Sequence, residues 1–422
     1  PATGSVYTGT STCAFFNPIA GNITMQRYID AGPTNWRFLS SAVGGTTLAD
    51  WNDDFITSGF VGADFPDWPA PDSLWPSIYF YNESVVGIID SGFVAATNTS
   101  NPLAVGEGAW AWSGDTITGT QPFVIDVTGP PNAGTISLPV SYTNTGSSVD
   151  DGWSMVGNPY SCTIDWDATD WTKTNVNDAI YIWDADNQQF ATYIAGAGAN
   201  GGSQYIPSSQ AFWVQCFNTS PSLQVTESCK STVDQAFLKQ GISDQQLLRF
   251  NLQKGNKNDE AVLRFIDGAT SSFDSYYDAQ KLASADEDIP YLSMINNNEE
   301  LTINSYNLGE QVSIPIMTSA STSGLSELTF TKENLVDLSC AILEDLKTGI
   351  VTDLMLEDSY TFYLYATDTI PRFMLHVWNN KNKEIITPTC FESNDAQIVA
   401  NASGNGPWVC NWSNSSGAIL SN

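Results

Sequence analysis

Apolar and polar residues alternate with a period of two in SIYFYNES (Ser77–Ser84), AIYIWDAD (Ala179–Asp186) and QAFWVQCF (Gln210–Phe217). The same alternation runs through LRFNLQ (Leu248–Gln253), AVLRFID (Ala261–Asp267), YTFYLYA (Tyr360–Ala366) and RFMLHVW (Arg372–Trp378). A strand sends successive side chains to opposite faces, so each run reads as a strand with one buried face. Turn-forming Gly, Asn, Ser and Thr recur every ~8–12 residues, the spacing of an all-β chain. Leu335–Leu346 (LVDLSCAILEDL) has an ambiguous period. A strand followed by a turn is predicted there, closed by Gly349, which tolerates positive φ.

The pattern also repeats. WRFLSSAVGGTTLADWNDDF (Trp36–Phe55) and GWSMVGNPYSCTIDWDATDW (Gly152–Trp171) each place a Trp, apolar residues and a small-residue turn before a second Trp and an Asp-rich loop. SIYFYNES then matches AIYIWDAD, and PLAVGEGAWAW (Pro102–Trp112) matches YIPSSQAFWVQ (Tyr205–Gln215), in the same order. The offsets are 117 at Trp36/Trp153, 115 at Trp51/Trp166 and 102 at Tyr79/Tyr181, with Trp110 aligned to Phe212 at 102. Loops that change length between conserved strands are the mark of a duplicated β unit. The predicted organisation is a first copy at 1–130, a second at 131–235, a β-sandwich or jelly-roll-like domain at 246–380 after a polar linker, and an incomplete Ig-like module at 381–422. The fold class is all-β, as tandem sandwich-like modules.

Eleven of the fourteen Trp precede residue 214. Most fall in or beside strands, where an indole buries a large area and needs one partner for its N–H, so a core role is favoured. Trp68 and Trp75 stand apart. Their Pro-rich loop, DFPDWPAPDSLWPS, has no counterpart in the second copy, which makes them the candidates for exposed glycan-stacking rings.

Composition narrows the chemistry. The net charge of −31 excludes nucleic acid and anionic membrane surfaces as natural partners and suits solubility in salt. No apolar run reaches the ~18 residues needed to span a bilayer, so no membrane insertion is expected. The chain begins PATGSVYTGT, without Met, and reads as a processed product or a piece of something longer. His376 is the only histidine and lies in an alternating strand, which leaves little for a nucleophile–base arrangement or a zinc site. No GxSxG or HExxH motif occurs. Carboxylates two residues apart, Asp165/Asp167 and Asp184/Asp186, flank Trp residues, as in some sugar-cleaving sites, but solvated loop ends are the favoured reading. Asp50, Asp53 and Asp54, Asp150 and Asp151, and Asp184 with Asp186 are the candidate calcium ligands, although none matches a DxDxDG loop. The chain is therefore read as non-enzymatic, with calcium the one cofactor considered. Seven Cys without a CxxC pair suggest scattered disulfides if the protein is exported. Cys390/Cys410 and Cys216/Cys229 each flank a strand and turn.

The phrases GWSMVGNPYSCTIDW, AIYIWDADNQQFATYI and YIPSSQAFWVQ resemble a recurrent module, GWNLVGNPYPS.IDW…YVWD…Y…IPPGQAFFV, of large exported surface proteins in gliding, Bacteroidetes-type bacteria. NDEAVLRFIDGATSSFDSYYDAQKL, LTINSYNL and RFMLHVW resemble the β domain that commonly follows it. SGNGPWVCNWSNSSG is similar to the Ig-like repeats of gliding adhesins. The resemblance implies export by the type IX secretion route, an extracellular or cell-surface location, and a longer parent bearing a sorting domain. It supplies no catalytic residues. Tyr160–Cys162 departs from the family's YPS turn, so Cys162 is a further disulfide candidate, with Cys13 as its partner. The function expected is that of a structural or adhesive segment serving attachment, gliding or prey capture. A glycan-binding module and an accessory region of a secreted hydrolase are the alternatives. The truncated tail implies self-association into an oligomer or filament by strand addition at Cys390–Ile419. Cell-surface glycans are the other candidate partner.

Overall fold

The structure is a computed structural model that describes residues 21–115, 121–233, 245–307, 311–335 and 338–379. It also describes the short strands Glu384–Ile386, Gln397–Val399, Trp412–Ser413 and Ile419–Ser421. The described residues are all-β, with three short 3-10 turns and no α-helix. No helix among them is long and apolar enough to cross a membrane. The strand and turn expected around Leu335–Leu346 are present. Leu338–Asp345 pairs with Phe373–Asn379, and Gly349 takes φ +71° to close the turn with its N–H on the Asp345 carbonyl.

The duplication is visible as identical strand order. In the first copy the sheet runs Asn35–Ser40, Gly108–Ser113, Ile78–Tyr81, Phe93–Ala95. In the second it runs Trp153–Gly157, Ala211–Gln215, Ile180–Asp184, Gln189–Ile194, then an extra edge strand, Ala197–Ala199. Each sheet is covered on one side by an antiparallel ladder joining the copy's two ends: Ile23–Ile29 with Phe123–Gly129, and Ile136–Leu138 with Ser222–Val225. Alternation decides what enters each sandwich. Ala109 and Ala111 point into the first with Met25, Ile125 and Trp51, while Phe212 and Val214 point into the second with Leu223, Val225 and Trp166. Trp51 and Trp166 are both wholly buried in these cores, as the repeat requires.

The register corrects one aligned pair. Tyr79 sits opposite Trp110, and Tyr181 sits opposite Trp213. Trp110 is thus the counterpart of Trp213, at an offset of 103, and not of Phe212. The distinction matters because a one-residue slip sends a side chain to the other face of the sheet.

With that register the copies are related by a pseudo-dyad. Leu39 bridges Gln210, and their counterparts Val156 and Glu107 bridge each other. The Ser40 N–H donates to the Ser209 carbonyl at 2.9 Å, and the Gly157 N–H donates to the Gly106 carbonyl at 2.8 Å. On the axis each position meets its own counterpart. A Cβ added to Gly108 would lie 2.7 Å from the Ala211 Cβ, and one added to Gly157 would lie 2.2 Å from the Ser40 Cβ. Small residues are required there because two sheets approach through their backbones.

The third unit is a single continuous sheet that folds over its own core. From one edge it runs Val351–Asp353, Leu338–Asp345, Phe373–Asn379, Gln311–Ser319, Tyr291–Asn296, Glu299–Tyr306, Lys257–Phe265, Gln246–Lys254, Gly324–Glu333, Ser359–Leu364. Its interior holds Phe250, Leu263, Phe330, Phe362 and Phe373. Its other face carries Leu247, Val262, Ala279 and Ile303 onto the second copy, where they share a core with Phe38, Trp153, Tyr181, Trp183 and Trp213. The predicted Ig-like module falls largely outside the described residues. Of it, Glu384–Ile386 pairs with Gln397–Val399, and Trp412–Ser413 with Ile419–Ser421.

Candidate ligand-binding cavity at the junction of the units

The Trp-bearing faces of the two copies meet across the pseudo-dyad, and the meeting is reciprocal. Tyr81 of the first copy packs edge-on to Trp213, with ring centroids 4.4 Å apart. Its counterpart Trp183 packs on Trp110 at 5.8 Å. Residues Leu282–Ala285 of the third unit lie across one end of this aromatic layer and leave a cavity of about 400 Å³. Phe93, Trp110, Trp153, Trp183, Phe190 and Trp213 provide its walls. Their ring planes are inclined to one another, from 46° for Phe93/Trp110 to 90° for Trp153/Trp213, so they enclose a box and do not form a flat platform. The Trp153 indole is fixed by donating to the Val149 carbonyl at 2.8 Å.

Asp90 and Asp150 also line the cavity. Asp90 is exposed, and Asp150 accepts the Ser147 hydroxyl at 2.6 Å. Burial, followed by the nearby carboxylates of Glu83, Asp90 and Asp150, pushes the Tyr81 hydroxyl well above its usual range. That hydroxyl donates to the Ile89 carbonyl at 2.9 Å. The hairpin loop of the first copy supplies an apolar lip through Ile88, which is 65% exposed, and Ile89. The corresponding turn of the second copy, Asp184–Gln189, is short and polar. A smaller cavity of about 220 Å³ adjoins the first and shares Phe190 and Leu282–Ser284 with it. The Asp259–Lys281 ion pair lies on its wall.

The residues singled out from the sequence are spent differently. Asp50 caps a 3-10 turn by accepting the Thr47 N–H at 2.8 Å. Asp53 is exposed. Asp54 accepts the Asp126 N–H at 2.6 Å, and burial, with Asp126, Asp53 and Asp50 nearby, pushes its carboxyl up to about 7. Asp184 accepts the N–H groups of Asp186 and Asn187 and the Asn187 amide, which makes it a turn cap, and Asp186 is exposed. Asp151 accepts the Thr145 N–H at 2.9 Å. Asp50, Asp54, Asp151 and Asp184 are thus engaged by backbone N–H groups, Asp150 by a hydroxyl, and Asp53 and Asp186 face solvent. Among the described residues no three His, Cys, Asp or Glu groups are placed to hold a metal. Asp165 accepts from the Asp167 N–H and the Gln204 amide, and Asp167 accepts the Tyr193 hydroxyl. Burial raises Asp167 above the usual carboxylate range despite that bond. His376 lies on its strand, 2.9 Å from the Ser313 hydroxyl and 3.4 Å from Glu344.

Trp68 and Trp75 are not equivalent. Trp68 is 49% exposed, whereas Trp75 is half-buried between Trp36 and Trp112, with centroids 5.7 and 5.6 Å away. Their loop lies over the first copy's aromatic face, where the second copy has the third unit. Cys216 and Cys229 are buried free thiols in the second copy's core, which corrects the expected bridge. The Cys229 sulfur faces the Thr226 hydroxyl at 3.6 Å instead. Cys162 is buried in the same core. Cys13, Cys390 and Cys410 lie outside the described residues. The cavity walls escaped sequence reasoning because their rings sit in ordinary strands. The one local signal was the apolar run VVGII between Glu83 and Asp90.

No curated protein and no solved structure matches the chain. A family model does match it over residues 68–377, from the aromatic loop of the first copy to the last long strand of the third unit. That is more than half of the chain, which therefore belongs to the family described as Domain of unknown function (DUF8693).

Proposed function

We propose that the chain is a non-enzymatic structural or adhesive segment of an exported cell-surface protein. The observation that carries this reading is the shared core, in which Phe38, Trp213 and Val262, one from each unit, pack into one cluster. Such a core fixes the relative geometry of three β units, which a load-bearing or display segment needs. Polar clamps support it. Arg249 donates to the Gly198 carbonyl at 2.6 Å, and the Asn200 amide donates to Asp259 at 3.0 Å. The net charge of −31 keeps such a body dispersed in salt. Self-association into an oligomer or filament belongs to the same proposal. Antibody labelling and protease shaving of intact cells test the location, and light scattering of the purified chain tests assembly. A protein confined to the cell interior would overturn the reading.

A second reading, a glycan-binding module, is favoured by the exposure of Trp68 next to Trp75. These two rings meet at 80°, so one sugar face at a time could stack there. A glycan array probed with the wild type and Trp68→Ala decides it, since the variant should lose any true glycan signal.

A further inference from the structure

The aromatic cavity carries an inference that does not rest on the structural reading above. Its described lining holds six aromatic rings and two carboxylates, Asp90 and Asp150, and no Lys or Arg. The nearest cation along the chain, Lys281, is committed to Asp259 at 2.5 Å. A ring face carries negative potential and the two carboxylates carry negative charge, while Ile88, Ile89 and Leu282–Ala285 complete the lining without charge, so the cavity favours a positive group over a negative one. The whole-chain charge of −31 adds a field of the same sign. Mutually tilted rings suit a compact, rounded group better than a flat one. We propose that this cavity binds a compact organic cation, an alkylammonium of the choline type, with its methyl groups against the ring faces and its charge shared with Asp90 and Asp150.

The test is calorimetry and tryptophan fluorescence on the full chain with choline and with its neutral isostere 3,3-dimethylbutan-1-ol. Choline should bind about tenfold more tightly than the alcohol, because only charge separates the two. The double variant Asp90→Asn/Asp150→Asn should lower choline affinity about tenfold and leave the alcohol unchanged. Asp90 is exposed, so Asp90→Asn alone offers a milder probe with the fold intact, checked by near-ultraviolet dichroism of the tryptophan layer. Co-sedimentation with phosphatidylcholine vesicles, if seen, assigns the cation to a lipid headgroup, while choline binding without co-sedimentation assigns it to a free solute. Equal affinity for the two probes, absence of choline binding, or a variant that loses both probes together overturns the proposal.

Discussion

At the residue scale, burial without compensation sets the most testable properties. Asp54 accepts one backbone N–H, but its neighbours Asp50, Asp53 and Asp126 are all acidic, so desolvation and repulsion together raise its carboxyl to about 7 from 3.8. The folded state then holds a proton that the unfolded chain releases near 3.8, and stability falls as pH rises from about 4 to about 7. Asp54→Asn keeps an oxygen to accept the Asp126 N–H and abolishes the titration. Its melting temperature should exceed the wild type's at pH 8, with the gap narrowing towards pH 5. A gap independent of pH would show that Asp54 is ionised throughout. Cys216 tells a similar story, since burial, and then Glu83, push its thiol up to about 12. Cys216 and Cys229 should resist alkylation in the native protein, and both should react after denaturation without reductant. Recovery of a peptide linking them would instead restore the bridge expected from their spacing.

At the scale of elements, the pseudo-dyad depends on two backbones touching. A Cβ at Gly157 would lie 2.8 Å from the Glu107 carbonyl oxygen as well as against the Ser40 Cβ, so neither neighbour can swing aside as a flexible side chain could. Gly157→Ala should cost about 2 kcal/mol in denaturant unfolding, the ordinary penalty of overpacking. A cost near zero would mean that the copies do not meet here. The strands of this interface were legible in the sequence because alternation and turn residues are local signals. So was the duplication, because strands keep their pattern when loops do not. The pairing of Trp110 with Trp213 was harder to see. Ala211–Gln215, expected from its alternation to bury one face, is buried on both, and the consecutive apolar residues Ala211–Val214 give no inside or outside with which to fix a register. The cavity was illegible for the same reason, since Phe93, Trp183 and Phe190 sit in ordinary strands and pack in the same aromatic core as Trp153 and Trp213. A short acidic run suits a turn cap as well as a metal, and the nearby N–H groups identify Asp50 and Asp184 as caps.

At the scale of the whole molecule, the question is whether three units melt as one. Independent domains in a chain of 422 residues would unfold in separate steps. Here the second copy and the third unit share a core, and Arg264 ties them through polar contacts as well. Its guanidinium is wholly buried and donates to the carbonyls of Ile194 at 3.1 Å, Ala195 at 2.8 Å and Tyr277 at 2.6 Å, and to the Ser305 hydroxyl at 3.0 Å. No apolar side chain can replace those donors, so Arg264→Met withdraws the guanidinium from the Ile194 and Ala195 carbonyls in a closed interface, leaves the Tyr277 carbonyl only the Ser305 hydroxyl, and removes the positive charge beside Asp278. The loss should be about 3 kcal/mol or more, concentrated at the boundary between the units. Wild-type calorimetry should therefore show one main transition, and Arg264→Met should divide it, with the 246–379 sheet unfolding apart from the duplicated pair. A variant that melts in one step at the wild-type midpoint would show that the shared aromatic core couples the units without Arg264. Two separate transitions in the wild type would show that this core does not couple them at all.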